Sequence, residues 1–276
     1  MQPLNFTRLF IVLTFFLCSC RTPRDIYSPS VPGNPFFKQK GDSKVSGFFS
    51  SGNRNGNASF NYGYDVQAAY APVNHLAVTI GTYQRREKDT YAGTHYNIFD
   101  SSAVRYKRNF TEIGVGYFSP FAKGSNITFN LYTGIGLGGF SIDDRGLTDS
   151  SAYSRDYKTR MTKWYLQPGI NFIISDYFRL GLVLRLAWVN YHHINTSYSS
   201  SELDYFFLNK ISNRVFLYGE STLNMQVGFP RLQWMKLDMG ASFCPDQAGG
   251  YPHVRNFNGF AGLTFSLPSR IKKSGK

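Results

Sequence analysis

The chain has 276 residues, of which 17% are aromatic and 17% charged, and a formal net charge of +13. That length excludes a barrel accompanied by a second large domain, and the cations are scattered with no run longer than two before Arg270–Lys276, which argues against a nucleic-acid surface. No segment beyond the N-terminus is apolar for the roughly 20 residues a membrane-crossing helix needs, so any span must be built from strands.

Residues 1–19 carry one cation, Arg8, and then the apolar run Leu9–Leu17, which reads as an export signal. The run ends in Leu17-Cys18-Ser19-Cys20, which resembles the lipobox of bacterial lipoproteins. The resemblance implies cleavage before Cys20 and acylation of that cysteine by palmitate-type chains. Cys244 is then the only free thiol, and no intramolecular disulfide is available. Residues 20–42 contain Pro23, Pro29, Pro32 and Pro35, which disfavour helix and ladder alike, and are expected to form a periplasmic tether.

Period two begins at about residue 43. In 60–71, Phe60, Tyr62, Tyr64, Val66, Ala68 and Tyr70 alternate with Asn61, Gly63, Asp65, Gln67, Ala69 and Ala71. In 178–189, Phe178, Leu180, Leu182, Leu184, Leu186 and Trp188 alternate with Arg179, Gly181, Val183, Arg185, Ala187 and Val189. Segments 163–172 and 235–243 repeat the pattern. Successive strand residues point to opposite faces, so each segment has one oily face and one face of small and polar residues. A soluble sandwich alternates too, but these strands are long, and their polar faces suit a crowded lumen better than a solvated exterior.

Strands are expected at about 43–50, 60–71, 75–86, 104–118, 126–140, 158–174, 177–190, 213–229, 234–244 and 257–267. Connections after odd-numbered strands are long and polar, those after even-numbered strands short. This is the pattern of transmembrane barrels, with long extracellular loops and short periplasmic turns. The fold class is therefore all-β, an antiparallel transmembrane β-barrel of about ten strands. The alternative is eight strands with an N-terminal plug, should the short first strand fail. Residues 268–276 form a basic periplasmic tail. Ten strands entering from the periplasm are expected to return the C-terminus to it, which agrees with a lipid-modified N-terminus on the same side.

The expected lumen charges are Asp65, Glu112, Lys163, Arg179, Arg185, Arg214, Glu220, Lys236 and Asp238. They are read as a paired network filling a narrow barrel, because isolated buried charges are very unfavourable. Tyr70, Trp164, Trp188 and Tyr191 are expected as interface aromatics.

The most enzyme-like constellation is Tyr191-His192-His193-Ile194-Asn195-Thr196-Ser197, followed by Glu202 and Asp204. Outer-membrane lipid A deacylases place a serine two residues after the histidine. Here Asn195 stands in that position, so no catalytic residue is assigned. Adjacent strand residues face opposite ways, which argues against a metal held by His192 and His193 together. Gly134–Gly139 lies within a strand with no helix to follow, unlike a nucleotide-binding loop.

The stretch Gln67-Ala68-Ala69-Tyr70-Ala71-Pro72-Val73-Asn74-His75-Leu76-Ala77-Val78, preceded by Lys40-Gly41-Asp42 and the lipobox, resembles the outer-membrane barrel lipoproteins of the Bacteroidota and, more broadly, the small OmpA-type barrels. The resemblance implies fold and location and no settled activity; surface-exported lipoproteins of that group tend to carry acidic residues after the cysteine, so Arg21 and Arg24 in that place favour lipid in the periplasmic leaflet. The expected function is that of a structural or surface-binding envelope protein, with a rim lipid-modifying enzyme or a narrow channel as the alternative. Expected partners are outer-membrane lipid and an extracellular ligand at aromatic loops such as 191–212. No cofactor is implied.

Overall fold

The computed structural model describes residues 24–52, 59–94, 97–148, 151–212, 214–246 and 252–267. The signal segment, Cys20 and the basic tail lie outside the described residues. Ten antiparallel strands close into a barrel in which each pairs with its neighbours in sequence and the last returns to the first. They are β1 Ser43–Ser51, β2 Ser59–Val73, β3 Leu76–Thr94, β4 Asn97–Pro120, β5 Ile127–Thr148, β6 Ser151–Ile173, β7 Phe178–Thr196, β8 Val215–Phe229, β9 Leu232–Phe243 and β10 Phe257–Leu267. The short β1 is a full member, with Ser43–Ser51 laddered against Leu267–Gly259. Closure leaves no unpaired edge, which a strand protein in lipid requires.

The wall has opposite faces because the pleat alternates. On β7, Leu182 and Leu184 point outward and Val183 and Arg185 inward. Outward positions form a continuous apolar belt that includes Val66, Ile80, Ile113, Val115, Leu137, Trp164, Leu223 and Leu263. An exposed belt of this extent is not tolerated in water and matches the lipid-facing band of a transmembrane barrel.

One end, hereafter the turn end, has the tight connections between β2 and β3, β4 and β5, β6 and β7, and β8 and β9. At the opposite end, the loop end, β3 to β7 continue well past the expected limits. Most of the expected loops 87–103 and 141–157 is strand. The physical reason is visible in β3, where Tyr83, Arg85, Glu87 and Asp89 are buried while Gln84, Arg86, Lys88 and Thr90 are exposed. Beyond the lipid the outward face meets water, so the apolar signal disappears, but the hydrogen-bond ladder continues.

The expected tether takes a different course. Arg24 to Phe37 run inside the barrel and are almost wholly buried. The Pro-rich segment has no ladder beyond a bridge at Tyr27, where the Ile26 amide and Tyr27 carbonyl pair with the His253 carbonyl and Arg255 amide, and elsewhere lumen side chains bond to it. A barrel of about this size has just enough interior for side chains, and here an extended segment shares it.

Over the loop end lies the β7–β8 connection, with a short helix α1, Ser200–Tyr205, and a 3-10 turn, Leu208–Ile211. Ser199 and Glu202 form a reciprocal capping box at the start of α1.

Candidate functional site

The interior segment and the wall around it are the candidate site. Its path is fixed by contacts that descend in order. Arg24 pairs with Asp144 and lies under the Phe206 ring, 4.1 Å from guanidinium carbon to ring centroid. Tyr27 bridges Val254, stacks on Tyr218 at 3.9 Å and donates its hydroxyl to Glu220. Arg85 donates to Ser28 Oγ at 3.2 Å and Arg185 to Ser30 Oγ at 2.9 Å. Val31 N donates to Asp65 at 3.3 Å, and Gln167 Nε2 to the Gly33 carbonyl at 2.8 Å. Asn34 Nδ2 donates to Asn171 at 2.7 Å and Asn224 at 3.1 Å, an approach that Gly181 permits because a Cβ there would strike the Asn34 amide. At the turn end Phe37 meets Phe118 edge-on at 5.8 Å.

Two charge clusters hold this segment. In the middle cluster Glu112 pairs with Lys163 and, at 3.5 Å, with Arg185. Arg185 also donates to Gln167 Oε1 from Nε at 2.9 Å and from Nη2 at 2.7 Å. Asp65 accepts from Ser50 Oγ at 3.0 Å and lies 3.8 Å from Arg85. Asp238 accepts from Gln226 at 2.7 Å, Thr264 at 3.0 Å and Lys44 at 3.2 Å. Lys236 donates to the Gln233 carbonyl at 2.8 Å, and Arg179 is half-buried beside it in a 270 Å³ recess at the turn end.

The second cluster, nearer the loop end, was not among the expected residues. Arg255 bonds Asp89 at 2.7 Å and lies 3.2 Å from Glu87 and 3.5 Å from Asp25, while Arg108 pairs with Glu87 and with the Asp25 carbonyl. Parity was the available signal, since Arg85, Glu87 and Asp89 continue the inward face of Tyr83. Arg24, Asp25 and Arg255 carry no periodic signal at all.

Two expected placements are corrected. Arg214 is exposed just before β8 and joins neither cluster; it has lumen parity but lies beyond the end of the wall. Tyr191 is fully buried, with its hydroxyl 3.3 Å from both the Ile26 carbonyl and the Tyr218 hydroxyl. It shares the inward face of Arg185, so it anchors the interior segment and does not belong to the interface ring. Tyr70, Trp164 and Trp188 do face outward. Among the loop aromatics, Tyr198 and Phe206 are buried at the mouth near Arg24, and Tyr205 is exposed.

The histidine pair offers little catalytic chemistry. His192 Nε2 is 3.0 Å from Thr162 Oγ1, but its other ring nitrogen faces His193 Nδ1 at 2.6 Å and its ladder partner is Arg160. A base that must become imidazolium is served by a carboxylate there, not by a second imidazole and a cation. The acidic groups in the lumen are tied to arginine, lysine or hydroxyl partners. Cys244 is buried, and burial pushes its thiol above the ordinary value, which makes it a poor nucleophile.

At mid-height the space left between segment and wall is small. A void of 40 Å³ lined by Asn34, Gln67, Glu112, Gln167 and Arg185 has room for a water or two and not for a solute.

No protein-family model matches the sequence, and no curated protein matches it. Among solved structures, the chain is similar to the outer membrane protease OmpT from Escherichia coli, with 10% identity and a TM-score of 0.44 over 86% of this chain and 99% of that one. It is also similar to a major outer membrane protein from Thermus thermophilus, with 14% identity and a TM-score of 0.39 over 82% of this chain and 99% of that one. A third is the outer membrane protein OprG from Pseudomonas aeruginosa, with 7% identity and a TM-score of 0.36 over 84% of this chain and 98% of that one. Likeness at this level carries no argument about activity, and the assignment rests on strand pairing and the apolar belt. By those criteria the chain is an all-β, antiparallel transmembrane barrel of ten strands, of the outer-membrane type, with an occupied lumen.

Proposed function

We propose that this chain is an outer-membrane lipoprotein, acylated at Cys20, that serves the cell envelope as a structural or surface-binding protein and not as a conduit. The observation that carries the reading is the threaded segment Arg24–Phe37, which leaves a void of only 40 Å³ beside it in the middle of the lumen. A conduit needs a continuous water path, and this interior offers side chains bonded to one another. Export through a cleaved signal and a strand-built span both agree with an outer-membrane location. The exposed Tyr205 on the β7–β8 connection supplies a rigidly supported aromatic contact for a partner at the surface.

The test is electrical and chemical. Purified full-length protein in a planar bilayer should show no sustained ion conductance, whereas deletion of residues 24–37 should produce it. Sustained conductance from the intact protein would overturn the reading in favour of a narrow channel. Metabolic labelling with an alkyne fatty acid should mark the wild type and not Cys20→Ala, and persistent label on that variant would remove the lipobox assignment.

A further inference from the structure

The direction in which the interior segment runs bears on where the N-terminus emerges. Along the wall strands it touches, later segment residues meet positions nearer the turn end. On β4 the Asp25 carbonyl meets Arg108 and Phe37 meets Phe118; on β7 the Ile26 carbonyl meets Tyr191 and Ser30 meets Arg185; on β6 Gly33 meets Gln167 and Asn34 meets Asn171. The parallel bridge between Tyr27 and Val254, just ahead of β10, gives the same sense. Residues 24 to 37 in extended form cover roughly 40 Å at about 3.3 Å per residue, more than the apolar thickness of a bilayer at about 25–30 Å. The segment therefore passes through the whole membrane-spanning part of the barrel. It then turns through Gly41 and Asp42 at the turn end, where the Gly41 amide donates to the Ala71 carbonyl at 2.7 Å, and enters β1.

We propose that the barrel carries its own N-terminus across the membrane, so that the chain upstream of Arg24 emerges at the loop end, on the same side as the β5–β6 and β7–β8 connections and opposite the C-terminus. Cys20 is four residues from Arg24 and can lie no more than about 14 Å from it. That reach is too short to return through the bilayer. Acyl chains on Cys20 therefore have access only to the leaflet at the loop end, the outer leaflet if that end faces outside as in other transmembrane barrels. The last clause rests on the acylation proposed above; the side on which residue 20 lies does not.

The threading also has a defined grip. Arg24 is the last described residue before the exit, and it is held by Asp144 from β5 and by Phe206 from the connection that covers the mouth. Tyr198 donates to the same Asp144 carboxylate at 3.0 Å, so one acidic residue ties the exiting chain to the mouth cover.

The experiment compares three epitope insertions in the full-length protein on intact cells: between Thr22 and Pro23, after Ser150, and after Lys276. The tags at 22 and 150 should share one antibody accessibility and the tag at 276 should have the other, whichever way the barrel is inserted. A tag at 22 that behaves like the tag at 276 while the tag at 150 differs would overturn the proposal. A tag-free measurement guards against disturbed threading. In a Cys244→Ala background, Tyr27→Cys with Val254→Cys should form an internal disulfide on oxidation, read as a reduction-sensitive gel shift. Failure of that pair, when the wall pair Ser46→Cys with Thr264→Cys forms its own, would equally overturn it. Fatty-acid labelling of the untagged strain is scored separately: no label defeats the lipoprotein reading and leaves the side of residue 22 to be decided by the tags.

Discussion

Arg185 and Glu220 stand directly opposite one another in the β7–β8 ladder, yet their side chains bond elsewhere. Arg185 turns to Glu112, Gln167 and Ser30, while Glu220 accepts the hydroxyl of Tyr27. The interior segment has come between two residues that an empty barrel would leave facing each other. Double-mutant cycles in reversible liposome unfolding should therefore give a larger coupling for Arg185 with Glu112 than for Arg185 with Glu220. Breaking a buried pair by removing one partner typically costs about 3–5 kcal/mol, and Arg185→Leu should fall in that range. A dominant Arg185–Glu220 coupling would mean that the interior segment is displaced in the membrane.

Tyr27 is the largest aromatic anchor of the segment, buried and stacked on Tyr218. Tyr27→Phe keeps the stack but leaves the buried Glu220 carboxylate short of a donor, with an expected loss of about 1–3 kcal/mol. Tyr27→Ala removes both and should cost about 3–5 kcal/mol, the usual range for deleting a large core aromatic. Equal effects of the two variants would show that the ring contributes nothing.

Gly181→Ala tests the close approach at Asn34. The added methyl meets the Asn34 amide and the side chains of Asn171 and Asn224, so the segment must shift at this level. We expect destabilisation of about 1–3 kcal/mol and faster protease cleavage within residues 24–37, read by mass spectrometry. An unchanged cleavage rate would mean that the segment does not pass this glycine.

Leu184 faces outward on β7 and Arg185 inward, so the belt can be probed at one residue pair. Arginine on the lipid face near the midplane costs roughly 2–4 kcal/mol, falling towards zero at the interfaces. Leu184→Arg should thus destabilise more than Leu180→Arg, which lies nearer the turn end. If the two cost the same in liposomes, the depth assigned to this strand is wrong.

The mouth cover should loosen in acid. Glu202 sits outside the wall; burial raises its carboxyl, but this is outweighed by the Ser199 amide and hydroxyl and by Arg155, which hold it below the ordinary value. A carboxylate with a depressed folded pKa contributes stability that is present above its unfolded value and is lost as pH falls through the folded one. The hydrogen-exchange protection of residues 199–206, measured against the intrinsic rate at the same pH, should therefore fall below about pH 4, and Glu202→Gln should remove most of that pH dependence. Protection that stays constant with pH would rule out the capping carboxylate as the anchor of α1.

What the sequence alone determined is the wall. Alternation over Phe178–Val189 requires a strand with one oily and one polar face, and turns such as Asn74-His75 set how one strand follows the next. Both are local properties, carried by residues within a few positions of one another. The outer halves of β3 to β6 were harder to read because an outward residue in water, such as Arg86 or Lys88, has no reason to be apolar, so the period persists without its usual chemical contrast.

The course of residues 24–37 was decided by tertiary structure alone. Pro29, Pro32 and Pro35 exclude helix and ladder, and that is all they say; an extended segment outside the barrel and one inside it read alike. The lumen separates them, because Asp144, Glu220, Asp65 and Gln167 come from different strands and offer partners to this segment only once the barrel has closed around it. Contacts so distant in sequence leave no periodic trace, and for the same reason Arg185 found Glu112 and Ser30 in place of the neighbour that its own ladder had set beside it.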